Sequence, residues 1–152
     1  MIRPHVYGAI ADRLRAVGLR PTRQRLALAT VLLADGRDRH VTAESLHREV
    51  RARDVAVSLA TVYNALHQFT NAGLLREVVV DAARSYFDTN TTHHHHFYDE
   101  DSRSLIDIPG SGIDVAHLPE PPPGSEIAQV DVVVRIRRPA QAAGASVRGS
   151  KR

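Results

Sequence analysis

The 152-residue chain contains no cysteine and no tryptophan, one methionine, and only 5% aromatic residues. The lack of cysteine excludes disulfides, thiolate-held iron–sulfur clusters, a cysteine nucleophile and a structural zinc held by four cysteines. Any metal chemistry must therefore use nitrogen and oxygen ligands. No run approaches the roughly 18 consecutive apolar residues that a membrane helix needs, so no membrane partner is expected. Residues 1–10 carry Arg3, Pro4 and His5 and lack the apolar stretch and small-residue cleavage site of a secretory signal, so a cytoplasmic location is expected.

With 43% apolar and 24% charged residues, the composition is globular. Charge is uneven along the chain. Residues 1–92 hold 13 basic and 9 acidic side chains, residues 93–138 hold 4 and 8, and residues 139–152 hold 3 and 0. A basic front suits a polyanion, and an acidic back suits a cation or a partner.

Helical periodicity recurs in the first half between clear stop signals. Ile10, Leu14 and Val17 share one face of a first helix that Gly18 ends. Thr22 caps a second helix with Leu26, Ala29, Thr30 and Leu33 inward, ending near Asp35-Gly36. Thr42 caps a third, amphipathic helix with Leu46 and Val50 inward, and Ser58 caps a fourth with Val62, Leu66 and Phe69 on one stripe, stopped at Asn71-Ala72-Gly73. The period then changes to two. Residues 75–80 and 84–88 read as a hairpin across Asp81-Ala82-Ala83, and helices followed by a hairpin predict a winged helix-turn-helix domain over 1–92.

A second domain, over 93–138, begins at four consecutive histidines. A short strand is expected at 105–108, no regular structure across the prolines of 118–124, and a long alternating strand at 127–137. So few strands cannot close a core alone, which predicts pairing with a second copy in a homodimer. Residues 139–152 read as a disordered basic tail. The fold class expected is α+β, a winged helix-turn-helix domain followed by a small α/β dimerisation domain.

Two groups of residues carry chemistry. On the fourth helix Ser58, Thr61, Asn64 and His67 lie opposite the apolar stripe with Tyr63 nearby; hydroxyls bind phosphates and asparagine can pair with adenine. Ahead of it, Arg20-Pro-Thr22-Arg23-Gln-Arg25 places arginines about a helix N-terminus, where a phosphate would offset their opposition to the helix dipole. Arg20, Thr22, Arg23, Ser58, Thr61, Tyr63 and Asn64 are thus the candidate contacts to double-stranded DNA. The second group is His93, His94, His95 and His96, with Asp88 before them and His40 ahead of the third helix. In an extended strand His94 and His96 face one side and His93 and His95 the other, so each pair can chelate; imidazoles suit zinc, iron or haem iron, and a carboxylate beside two of them suits a first-row divalent metal.

Arg20-Pro-Thr-Arg-Gln-Arg25, Arg39-His-Val-Thr-Ala-Glu44, Ser58-Leu-Ala-Thr-Val-Tyr-Asn64 and the histidine run resemble the ferric uptake regulator family. Residues 57–73, Tyr86-Phe-Asp-Thr-Asn90 and Ile106-Asp-Ile-Pro109 resemble its iron response regulator branch. The family resemblance implies a DNA-binding domain, a dimerisation domain and a metal site at their junction. The branch resemblance implies control of iron and haem metabolism genes, with haem as the signal. By that resemblance one regulatory site matches His40, Asp88 and His95, its last histidine falling on Phe97; a second matches His94, His96 and Asp114, its remaining histidine falling near Val130. Neither set is complete, and the branch's Cys-Pro haem motif is absent, so a haem would bind through residues 93–96.

The function expected is a sequence-specific, dimeric transcription regulator of an AT-rich promoter repeat that responds to iron or haem status. A metal-dependent repressor responding to zinc, manganese or ferrous iron is the alternative. A histidine-based metal or haem carrier would not need the fourth helix's polar face. A mononuclear iron enzyme built on His40, His95 and Asp88 would need a substrate cleft for which the chain leaves little length.

Overall fold

The computed structural model describes residues 4–140. The expected tail lies, from residue 141 onward, outside the described residues. Two compact units part between His93 and His94.

The first unit runs α1 (Pro4–Ala16), α2 (Arg23–Leu33), β1 (His40–Val41), α3 (Ala43–Arg51), α4 (Leu59–Asn71), β2 (Arg76–Asp81) and β3 (Arg84–Asp88). Side-chain oxygens of Thr22, Thr42 and Ser58 accept from the backbone N–H of Arg25, Ser45 and Thr61 at 3.3, 3.1 and 3.1 Å, satisfying a donor at each helix start. In α3 the cap is reciprocal, because Ser45 Oγ accepts from the Thr42 N–H at 3.0 Å. Helices α1 and α4 close on Gly18 and Gly73, with φ of +78° and +79°. After α4 the Leu74 N–H reaches the Phe69 carbonyl at 2.9 Å and the Gly73 N–H reaches that of Thr70 at 3.0 Å, the two bonds of a Schellman ending.

Leu14, Leu28, Leu32, Leu46, Val62, Leu66, Phe69 and Phe87 are each at most 1% exposed and form one core. Burying a side chain of this size contributes roughly 1.5–3 kcal/mol. The inward face of α2 differs from the sequence reading: burial is continuous from Leu28 to Leu33, while Leu26 is only half-buried. The cause is placement, since α2 packs against α1, α3 and α4, and a helix surrounded by others is apolar on every side. A three-stranded antiparallel sheet, ordered β1-β3-β2, covers the helices. It pairs His40 directly with Asp88.

The second unit contains β4 (His94–Asp99), β5 (Ser104–Pro109), a 3-10 turn at Gly110–Gly112 and β6 (Val133–Ile136). The chain is α+β, and the 3-10 turn is the second unit's helical content among the described residues. The sheet order is β5-β4-β6, antiparallel between β4 and β5 and parallel between β4 and β6. At the β4–β5 turn Asp99 accepts from the backbone N–H groups of Ser102 and Asp101, at 3.2 and 2.9 Å, and these bonds, that from Ser102 foremost, hold its carboxyl below the usual range. Strand β6 is shorter than the alternation at 127–137 suggests. Residues 127–132 lie outside the strand, although the Val132 carbonyl accepts from the His96 N–H at 3.1 Å, and Val134 and Ile136 are exposed.

Candidate nucleic-acid face and metal centre

Helix α4 buries Val62, Ala65, Leu66 and Phe69 and leaves Ser58, Tyr63, Asn64, His67 and Gln68 exposed, as 3.6-residue periodicity dictates. Thr61 is half-buried, and its hydroxyl lies 2.9 Å from that of Ser58, so both hydroxyls are drawn into the helix cap. Tyr63 is held on two sides. Its hydroxyl donates to Glu44 Oε1 at 2.6 Å, and its ring stacks on that of His67, with centroids 6.5 Å apart. His67 in turn meets the edge of Phe87 at 5.6 Å. The Tyr63 hydrogen bond holds the Glu44 carboxyl below its ordinary range and pushes the Tyr63 phenol up, because it favours the ionised acid and the un-ionised phenol.

Arg20 and Arg23 are exposed and have no ion-pair partner among the described residues. Arg25, third in the same cluster, behaves differently. Its Nε and Nη2 donate to Gln68 Oε1 at 3.1 and 2.8 Å, and its Nη1 donates to the Arg20 carbonyl at 2.9 Å. The guanidinium fork thereby ties α4 to the loop that carries Arg20. Sequence reading grouped Arg25 with its neighbours, and only the long-range partner Gln68 distinguishes it.

Metal-ligating side chains occur in each unit. In the first, His40 Nε2 lies 3.2 Å from Asp88 Oδ2, and Asp88, fully buried, also accepts from the Asn90 N–H at 2.8 Å. A buried carboxylate is costly without such partners. In the second, β4 turns His94 and His96 to one face, with ring centroids 4.5 Å apart, and the antiparallel register sets Asp107 opposite His96. Both Nε2 atoms lie 3.5 Å from Asp107 Oδ1, and the two histidines are buried.

The other expected ligands lie elsewhere. His95 faces the opposite side of β4 and its Nδ1 accepts from the Val132 N–H at 3.3 Å; His93 precedes the strand and is exposed; Asp114 is exposed outside the group. Asp107 was missed by sequence reading, although the alternation of β5 opposite a histidine strand is a signal that could have found it.

The donor set fits a small divalent ion. Two ligands at about 2.1 Å from a tetrahedral ion sit about 3.4 Å apart, close to the 3.5 Å found from each imidazole to Asp107. Imidazole with carboxylate suits zinc, iron or manganese. Haem fits this pair less well, because its two axial ligands approach from opposite sides, whereas His94 and His96 lie side by side and meet the same oxygen.

The ferric uptake regulator family matches residues 16–119. The ferric uptake regulation protein of Bordetella parapertussis is 35% identical over 79 residues, 52% of this chain and 56% of that protein. The peroxide operon regulator of Bacillus subtilis is 32% identical over 110 residues, 72% of this chain and 74% of that protein. Among solved structures, the ferric uptake regulator of Pseudomonas aeruginosa with manganese superposes with a TM-score of 0.62 at 25% identity, over 85% of this chain and 97% of that one. Among the described residues no helix is long and apolar enough to cross a membrane. On the breadth of the family match, the chain belongs to the ferric uptake regulator family.

Proposed function

We propose that this chain is a dimeric, sequence-selective DNA-binding transcription regulator whose affinity for its operator is set by a divalent metal. The observation that carries the proposal is the His94, His96 and Asp107 set, at the spacing a tetrahedral ion requires, in a chain whose family match also spans α4. In this reading Arg20 meets the minor groove or phosphates, Thr22, Arg23 and Ser58 meet phosphates, and Thr61, Tyr63 and Asn64 face bases in the major groove of an AT-rich repeat. His40 and Asp88, paired in the first unit, are two of the ligands that the family resemblance implies for a regulatory site. Metal binding that favours one arrangement of the dimer over another changes the spacing of its two α4 helices, and with it the fit to the operator. About 1.4 kcal/mol of differential binding moves such an equilibrium tenfold.

The finer reading, regulation by iron or haem status of genes for iron and haem metabolism, draws its support from the four-histidine run and the resemblance of residues 57–73 and 86–90 to the iron response regulator branch. His93, exposed ahead of the strand, is the histidine of the run that an external haem would meet. The test is a duplex-binding titration of the wild type and of a His94→Ala, His96→Ala, Asp107→Ala variant, without ligand, with manganese or ferrous iron, and with haem. The variant is expected to keep its basal duplex affinity and lose the response to metal. A variant that responds like the wild type refutes the metal assignment. Loss of wild-type binding on adding haem supports the haem reading, and selective binding by neither protein favours the carrier.

A further inference from the structure

On the exposed face of α4, one side chain has its chemistry restricted from outside the helix. Tyr63 donates its only hydroxyl proton to Glu44 Oε1, in the first turn of α3, at 2.6 Å, and His67 supports its ring from the side. A phenol whose proton is committed to a carboxylate has only lone pairs left to offer. Base edges in the major groove divide by this property: adenine N6 and cytosine N4 donate, while guanine N7 and O6 and thymine O4 accept.

We infer that Glu44 is a specificity-determining residue that acts through Tyr63, making it an acceptor that selects an exocyclic amino group, adenine N6 or cytosine N4, and rejects guanine and thymine on the contacted strand. The inference rests on the reading that α4 enters the major groove. A carboxylate beside that groove weakens attraction to every duplex alike, so its place on the face is explained by the bond to Tyr63 rather than by affinity. Glutamine at position 44 keeps the carbonyl acceptor and removes the charge; alanine removes both.

The test is selection of duplexes from a randomised library by the wild type, Glu44→Gln, Glu44→Ala and Tyr63→Phe, followed by titration of the selected duplexes. Wild type and Glu44→Gln are expected to recover the same consensus, the latter with tighter binding to all duplexes. Glu44→Ala and Tyr63→Phe are expected to lose preference at one shared position per half-site, by roughly fivefold or more, with unchanged salt dependence between Tyr63→Phe and wild type. At that position the wild type is expected to prefer adenine or cytosine and to lose the same factor when the base is replaced by purine or 2-pyrimidinone, which lack the amino group. Glu44 is exposed and outside the core, so Glu44→Ala is expected to unfold in one cooperative transition above the temperature of the binding assay, which shows that a lost preference is not lost folding. An unchanged consensus for Glu44→Ala, or a shared position that reads guanine or thymine, overturns the inference while leaving the DNA-binding reading intact. A wild type that enriches no sequence overturns both.

Discussion

Adding one methyl group at Gly8 and one at Gly73 is the same chemical change with opposite expected signs. Gly8 lies inside α1, exposed, with nothing within 4 Å of an added Cβ. Alanine there gains helix propensity, about 0.8–1.0 kcal/mol relative to glycine. Gly73 also has nothing within 4 Å of an added Cβ, so no clash contributes, but its φ of +79° is in the left-handed region. An L side chain there costs roughly 1–2 kcal/mol, partly offset by about 0.4–1 kcal/mol from the smaller conformational freedom of the unfolded chain. The net is a loss of about 1 kcal/mol at the C-terminus of the proposed reading helix. For a cooperative unit of 60–100 residues, 1 kcal/mol moves Tm by about 4–8 °C. Thermal unfolding followed by far-UV circular dichroism is expected to raise Tm for Gly8→Ala and lower it for Gly73→Ala. Two shifts of the same sign would refute the assignment of the Gly73 conformation as the cause.

Other perturbations separate the roles of the named side chains. Arg20→Ala and Arg23→Ala are each expected to reduce the slope of log affinity against log salt by about one unit in duplex titrations, as removal of a phosphate contact does. Arg25→Ala is expected to lower stability by about 1 kcal/mol, and in that background Gln68→Ala should add little, because the pair shares its hydrogen bonds; denaturant unfolding of both variants checks this. Leu66→Ala, at a fully buried position, is expected to cost about 2–5 kcal/mol in the same assay. The stability lead of wild type over Glu44→Ala is expected to depend on pH at both ends. Glu44 is lowered from its ordinary 4.5, so its contribution is present above 4.5 and is lost as pH falls through the folded value. Tyr63 is raised from its ordinary 10.0, so its contribution is present below 10.0 and is lost as pH rises through the folded value. Unfolding curves from pH 3 to 11 test both signs.

The helix caps were legible because each uses a side chain at a fixed offset: Thr22, Thr42 and Ser58 each accept from the residue three positions on, and Gly18 and Gly73 take the conformation that glycine alone adopts without penalty. The hairpin was legible from its period, within a residue at its ends. The burial of α2 was not, because a helix packed on several sides carries no single stripe for a periodicity argument to find. The length of β6 failed for a related reason: alternation at 127–137 marks residues suited to a strand, but a strand forms only where a partner pairs, and β4 supplies one over His96 to Asp99. At the candidate metal site, the run of histidines was plain and which of them share a face with a carboxylate was not. His95 is set apart by a bond to the Val132 N–H, and Asp107 is brought in by strand register; both are long-range facts absent from local spacing.

The proposed function requires that metal occupancy and DNA binding be coupled in this chain. The most direct test is one titration of the wild type against a duplex that it selects, at fixed ionic strength, first with chelator and then with excess manganese. The two isotherms are expected to differ by tenfold or more in affinity, the factor that corresponds to about 1.4 kcal/mol of coupling. Superimposable isotherms, in a sample shown to hold the metal, would contradict it.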